Sequence, residues 1–324
     1  MLIVANLDAE ANVAGIALPE RVLGTISALG TLLRVFASDD DLLWTPRPVD
    51  AARVPPVEGL ARPRLVSGPL RDHDASPLRL AWAETPDLRR DSRFARVAHR
   101  SFGLSLADEL GVRLPGARML GSVEQLRDHL ASGGAALAPE GRWVLKAPWS
   151  AAGRWRLRDT ADDAQVERFF ARFGESLFEP WLTRTEDSGV CGEVAEDGTI
   201  AVLGSHEQVV DDAGRFRGIG PLRDATPDEA SMTERVGQAL ARARHVGPFG
   251  IDTWRGVDRA SRPRENLLGE INPRLTMGRV SRELLLLTGG KRLLVGSEIP
   301  GGPGITPLLL PGPGDPTTVW LDAT

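Results

Sequence analysis

Tyrosine is absent from the 324 residues, and lysine stands only at Lys146 and Lys291, so nearly all of the 39 Lys and Arg residues are arginine. A lysine in this chain is a mild surprise, and Lys146 draws notice by its type alone. Cysteine occurs once, at Cys191, which excludes an internal disulfide and fits a reducing cytoplasm. No His, Lys or Arg stands beside it in sequence to lower its pKa, so it reads as a small core residue and not as a nucleophile. Long apolar runs are missing too: "ELLLLTGG" falls far short of the roughly 20 residues that span a bilayer. The start, "MLIVANLDAE", lacks a basic region and meets acid early, and so reads as a first strand and not as a signal peptide. A net charge of -5 gives no reason to expect nucleic acid. No His/Cys spacing resembles a zinc site, and there is no Gly-x-Gly fingerprint, Walker pattern or internal repeat.

What remains, 42% hydrophobic and 26% charged, is the composition of a folded protein, long enough for two or three lobes. The opening alternates "LIVANLD" as strand, "PERVLGTISALG" with helical spacing, then "TLLRVFASDD" and "PRLVSGPL" as further strand-like pieces. This predicts a small parallel α/β layer over about the first 85 residues, interrupted by the Pro-rich loop "WTPRPVDAARVPPVEGLARP". Residues 91–110 predict one helix, closed by Gly111. A smaller unit follows: strand "ARML", helix "SVEQLRDHLASG", strand "RWVLKAP", a loop through Gly153, strand "RWRLR" and helix "DDAQVERFFARFG". Beyond it come the strands "SLFEPWL", "GVCGEVAED" and "TIAVLGSHEQVVDD", the last two joined by an Asp197-Gly198 hairpin turn. The helix "PDEASMTERVGQALARARHVG", strands "FGIDTWRG" and "NLLGEIN", and the helix "VSRELLLLTG" complete the pattern. The Gly/Pro-rich tail from Gly296 is assigned no regular structure.

Three stretches carry candidate chemistry. In "RWVLKAPWSAAGRW", Lys146 projects from a strand just before a turn of small residues whose backbone N–H groups can approach phosphate oxygens. In "LFEPWL", Glu179 precedes Pro180, which cannot donate to a sheet, so the backbone of Trp181 and Leu182 is available to a flat base while the carboxylate accepts from an amino group. In "FGIDTWRG" and "GEINPR", Asp252 ends one apolar strand, while Glu270 and Asn272 lie on one face of the next by strand alternation. Two carboxylates and an amide oxygen suit Mg²⁺, and Arg274 follows on a Pro-braced turn where it can neutralise a transferring phosphoryl group. Taken singly, each has a blander reading: an exposed lysine, an interlobe linker, solvated strand-end acids.

The order of the three resembles the ATP-grasp superfamily, over residues 92–281 and at the level of motifs. That resemblance implies an α/β and α+β chain with the ATP-grasp fold: an N-terminal Rossmann-like α/β lobe followed by two α+β lobes clamping ATP. The expected divisions are 1–85 for the first lobe, 86–117 for a connecting helix, 118–178 for a small lid and 179–324 for the lobe with the metal site. It implies that Arg100 and Lys146 hold the ATP phosphates, that Glu179, Trp181 and Leu182 meet the adenine, and that either Glu186 or Asp187 meets the ribose. Asp252, Glu270 and Asn272 would hold Mg²⁺, or Mn²⁺ in its place, with Arg274 on an acyl phosphate and Arg154 or Arg156 sharing the phosphate role. Arg100 departs from the common lysine, exchanging a point charge for a fork. The loop "WSAAGRW" is poorer in Gly than in many members.

The implied activity is an ATP-dependent carboxylate–amine ligase working through an acyl phosphate, on small-molecule carboxylate and amine substrates, with neither nucleic acid nor membrane as partner and a cytoplasmic homodimer as the expected form. "EINPR" followed by Thr is more similar to tyramine:glutamate ligase-like members than to the D-alanine ligases. Two alternatives share the fold: a phosphotransferase that stops after phosphoryl transfer, and a nucleotide-binding protein without turnover. His99, beside Arg100, and His206 are read as ordinary polar residues.

Overall fold

The computed structural model describes residues 1–73, 76–150, 154–211 and 216–324. Along the chain run β1 (Leu2–Val4), α1 (Ala9–Val13), α2 (Glu20–Gly30), β2 (Leu42–Trp44), β3 (Arg64–Val66) and β4 (Leu78–Ala81). Then come α3 (Phe94–Val97), α4 (Arg100–Glu109), β5 (Arg118–Leu120), α5 (Val123–Ala131), β6 (Trp143–Lys146), β7 (Arg156–Arg158), α6 (Asp163–Phe173) and β8 (Ser176–Pro180). The remainder comprises β9 (Thr183–Val194), β10 (Ile200–Val210), β11 (Phe216–Arg223), α7 (Pro227–Arg242), β12 (Gly247–Val257), β13 (Pro263–Asn272), α8 (Met277–Thr288), β14 (Arg292–Gly296), β15 (Ile305–Leu309) and β16 (Thr318–Asp322). These elements form two compact units, Met1–Ser92 with Gly204–Asp224 and Arg274–Thr324, and Arg93–Leu203 with Ala225–Pro273.

In the first unit the expected parallel layer is present, in the order β3-β2-β1-β4. Strand β1 is central and its residues are fully buried, which is why "LIV" has no polar alternation. Gly30, at the end of α2, lets that helix press on the sheet: a Cβ there would stand 2.7 Å from that of Ala5. Two local readings are corrected. "TLLRVF" is a 3-10 helix over Thr31–Phe36, continuing α2 with buried Leu32 and Leu33, and the strand of that region is the later Leu42–Trp44. The Gly/Pro-rich tail is not devoid of structure: β16 pairs with both β14 and β15, and all of Thr318–Asp322 is buried. Pairing partners distant in sequence override a local composition of turn residues.

The second unit holds two layers of its own. A small antiparallel sheet, β5-β8-β6-β7, buries Trp143, Leu145 and Phe178 against Val166 and Phe170 of α6 and Leu126 of α5. Helix α6 starts with a full capping box, Asp162 and Gln165 exchanging side-chain and backbone bonds, as the sequence "DDAQ" allows. The strands β9, β12 and β13 form an antiparallel run in which Phe249 and Ile251 of β12 pack with Val236 and Leu240 of α7 and Leu106 of α4. Strand alternation leaves Gly250, Asp252 and Trp254 for the opposite face. Asp252 therefore does not end its strand, as read from sequence; β12 pairs with β9 for five residues beyond it, because the polar "TWRGV" continues the ladder in a sheet with one polar face.

The single helix expected over 91–110 is broken into α3 and α4. His99 adopts extended backbone angles (φ -68°, ψ 132°) and its ring accepts from the Ser101 N–H, so it serves as the N-cap of a new helix whose first residue is Arg100. The predicted stop holds: Gly111 follows the end of α4 with φ +70°.

Candidate active site

The site is built on the second unit. On β6, Val144 and Lys146 share the face opposite the Trp143/Leu145 core, and β8 pairs with it so that Glu179 stands across from Val144. Lys146 and Glu179 meet on that face, Nζ to Oε2, at 2.5 Å, with side chains only 13% and 11% exposed. A surface lysine would be solvated; this one is held against a carboxylate in a largely water-excluded place.

Arg100 reaches the same region from the start of α4, with every nitrogen of its guanidinium engaged. Nε donates to the Ala147 carbonyl at 2.9 Å, Nη2 donates to Ser150 Oγ at 2.8 Å and to Glu270 Oε1 at 3.0 Å, and Nη1 lies 2.9 Å from Glu270 Oε2. Burial works against its charge, but Glu270 first, then Glu179 and Asp252, outweigh it and hold the cation above the ordinary arginine range. His99, behind it, packs edge-on to Trp149 at 4.5 Å. Burial pushes the pKa of this imidazole down and the Arg100 charge adds to that, against the opposing pull of Glu175.

The metal candidates come together. Asp252 and Glu270 are directly opposed on β12 and β13, Asn272 opposes Gly250 two pairs along and so on the same face, and its amide nitrogen lies 3.4 Å from Asp252 Oδ2. Among the described residues no three His, Cys, Asp or Glu side chains form a metal cluster, so the donor set is two carboxylates and one amide. Turned over, that amide presents oxygen on the same side, completing a hard-oxygen set of the kind Mg²⁺ accepts while keeping positions for water and phosphate. The residues fit the ion.

At the interlobe connector the Trp181 N–H donates to the Arg142 carbonyl at 2.9 Å, and its indole is flanked by the guanidinium groups of Arg158 at 4.4 Å and Arg184 at 5.2 Å. The next amide, that of the buried Leu182, has no partner among the described residues, which leaves it as the connector's open donor. The register between β9 and β12 separates the two ribose candidates. Asp187 opposes Trp254, on the face of Asp252, and pairs with Arg184 at 2.7 Å; Glu186 opposes Arg255 on the other face and pairs with it at 3.3 Å.

Arg274 belongs to the other compact unit, where it is buried, ion-paired with Glu10, bonded to the Leu275 carbonyl at 2.9 Å and stacked over Trp82 at 5.2 Å. His206 is buried in that unit too, packed where Gly278 has no side chain. Cys191 is buried and in no disulfide, as its sequence context implies. Arg156 lies on β7, 6.0 Å from the Trp181 ring, and Arg154 precedes it; Gly153 and its neighbours Ala151 and Ala152 lie outside the described residues. Sequence reading missed Ser150, Arg184 and Trp254. Trp254 was within reach, since it stands two residues after Asp252 and so shares its face. A cleft lined by Arg100, Ser150, Leu177, Glu179, Leu268 and Glu270, a mixture of apolar and charged side chains, opens beside these groups.

No family model matches the chain. It is 29% identical over 218 residues to the L-propargylglycine–L-glutamate ligase of Streptantibioticus cattleyicolor, an alignment covering 57% of this chain and 44% of that protein. The chain thus spans less than half the length of this curated relative. Among solved structures, N5-carboxyaminoimidazole ribonucleotide synthetase from Thermus thermophilus superposes with a TM-score of 0.58 at 15% identity, over 99% of this chain and 92% of that one. A complex of Campylobacter jejuni biotin carboxylase with β-γ-ATP gives 0.58 at 9% identity, over 100% and 87%. At such identities the likeness is one of fold.

Proposed function

We propose that this chain, whose fold is that of the ATP-grasp superfamily, is an ATP-dependent ligase that joins a small-molecule carboxylate to an amine. The observation that carries the reading is the convergence beside one cleft of residues distant in sequence, Arg100 paired with Glu270 and Lys146 with Glu179 in two partly buried ion pairs, with Asp252 opposite Glu270. The fold neighbours include proteins solved with ADP or β-γ-ATP, and the curated relative is named for the ligation of two amino acids. Those names support an amino-acid carboxylate, glutamate first, as the substrate class to test.

In the proposed reaction a carboxylate oxygen takes the γ-phosphoryl group of ATP as the bond to the β-phosphate oxygen breaks, and ADP leaves. An amine then attacks the acyl carbon, its proton is lost, and phosphate departs with the former carboxylate oxygen. Lys146 and Arg100 would turn to the phosphates, and the Leu182 N–H with the Glu179 carboxylate would receive the base. Asp187, with Trp254 beside it, is the better-placed partner for the ribose. Mg²⁺ held by Asp252, Glu270 and Asn272 would supply charge neutralisation at the transferring phosphoryl group.

Glu270→Gln tests the reading. Turnover should fall at least about a hundredfold at temperatures where the variant is still folded, its melting temperature being lowered by the loss of the Arg100 counter-ion. Undiminished ADP release would remove Glu270 from the site.

A further inference from the structure

Both oxygens of Glu270 are taken by the two terminal nitrogens of Arg100, at 2.9 and 3.0 Å. The guanidinium is not free to drift, since the Ala147 carbonyl and Ser150 Oγ hold its Nε and Nη2. The Arg100 side chain is 9% exposed and that of Glu270 25%. A carboxylate chelated in this way has one lone pair of each oxygen taken by the fork, and a metal ion approaching the others meets the charge of Arg100. Withdrawing it from Arg100 would leave a desolvated cation with no anion, which is strongly unfavourable. Asp252 and Asn272 alone would be a poor divalent site, one carboxylate and one amide.

We propose that Arg100 is the internal counter-ion of Glu270, and that a divalent metal therefore enters this site with the nucleotide and not before it. The inference rests on the nucleotide reading of the cleft and adds a positioning role that follows from the fork. Nucleotide phosphate gives Arg100 a replacement anion, releasing Glu270 oxygens to the metal; the Lys146–Glu179 pair would open in parallel, its lysine turning to phosphate. In these two pairs, two cations and two carboxylates neutralise one another. A lysine at position 100 would occupy one carboxylate oxygen instead of two, so the fork is what makes the dependence strict.

The test is Mn²⁺ binding to the full chain, followed by the spin-resonance signal of free ion, with and without a non-hydrolysable ATP analogue. Without nucleotide, Arg100→Gln should bind Mn²⁺ about tenfold more tightly than the parent, and Arg100→Lys should fall between them. With the analogue present the parent should bind the ion tightly and the advantage of the variants should vanish. Equal Mn²⁺ affinity of parent and both variants without nucleotide, in a parent that binds the analogue, overturns the proposal alone. A parent that does not bind the analogue even with Mg²⁺ overturns the nucleotide reading and this inference together. Should Arg100→Gln fail to fold, Arg100→Lys decides the matter by the same comparison.

Discussion

At the scale of single residues, the acid-and-amide pattern of "GEIN" was legible because a strand's alternation is fixed: Glu270 and Asn272 share a face whatever surrounds them. The choice between Glu186 and Asp187 was not legible, since adjacent residues on a strand differ only in face, and the face is set by pairing with β12. Asp187→Ala is accordingly expected to raise the KM for ATP severalfold, and Glu186→Ala to leave it near the parent value; the reverse order in steady-state kinetics would reject the register argument. The Lys146–Glu179 pair allows a second check. Lys146→Met strands a buried carboxylate and should cost about 3–5 kcal/mol in denaturant unfolding, whereas Lys146→Met combined with Glu179→Leu should recover most of that while nucleotide binding stays lost. A single variant as stable as the parent would show that the pair is not desolvated as described.

At the scale of elements, strongly periodic or well-capped segments were readable and those governed by distant partners were not. Helix α7 carries its own start signal, with Thr226 and Glu229 forming a capping box and Pro227 in the first turn. The break between α3 and α4 had no such sign, because histidine is an uncommon cap, and β15 was hidden in a composition that favours turns. The β12–β13 turn contains a device that composition alone did not announce: Asp258, with a side chain 1% exposed, accepts from Arg262 and Arg264 and from the backbone N–H groups of Ala260 and Arg262. Burial would raise its pKa, but the hydrogen bonds from Arg264 and Arg262 and from those N–H groups win, holding it well below the usual carboxylate range. A depressed folded pKa stabilises above the unfolded value near 3.9 and loses that contribution as pH falls below it. The melting temperature of Asp258→Asn should therefore lie furthest below that of the parent above about pH 5, and the gap should narrow steadily towards about pH 2. A gap independent of pH would refute the charge-based account of this turn.

At the scale of the whole molecule, the parallel layer was anticipated from strands alternating with helical patterns, and the fold from the order of motifs, each of which is weak alone. Their discontinuity was not: each compact unit gathers chain segments far apart in sequence, and local periodicity carries no information about which distant segments pack together. For the same reason Arg274, adjacent in sequence to the metal candidates, is found with Glu10 and Trp82 in a unit distinct from theirs. No helix among the described residues is long and apolar enough to cross a membrane. The central claim concerns chemistry, and the most direct measurement is the stoichiometry of ADP, free phosphate and amide product with Mg²⁺ and ATP, across amino-acid carboxylates paired with amines. A ligase yields the three in equal amounts, only when carboxylate and amine are both present. ADP formed with a phosphorylated product and no free phosphate would contradict the account.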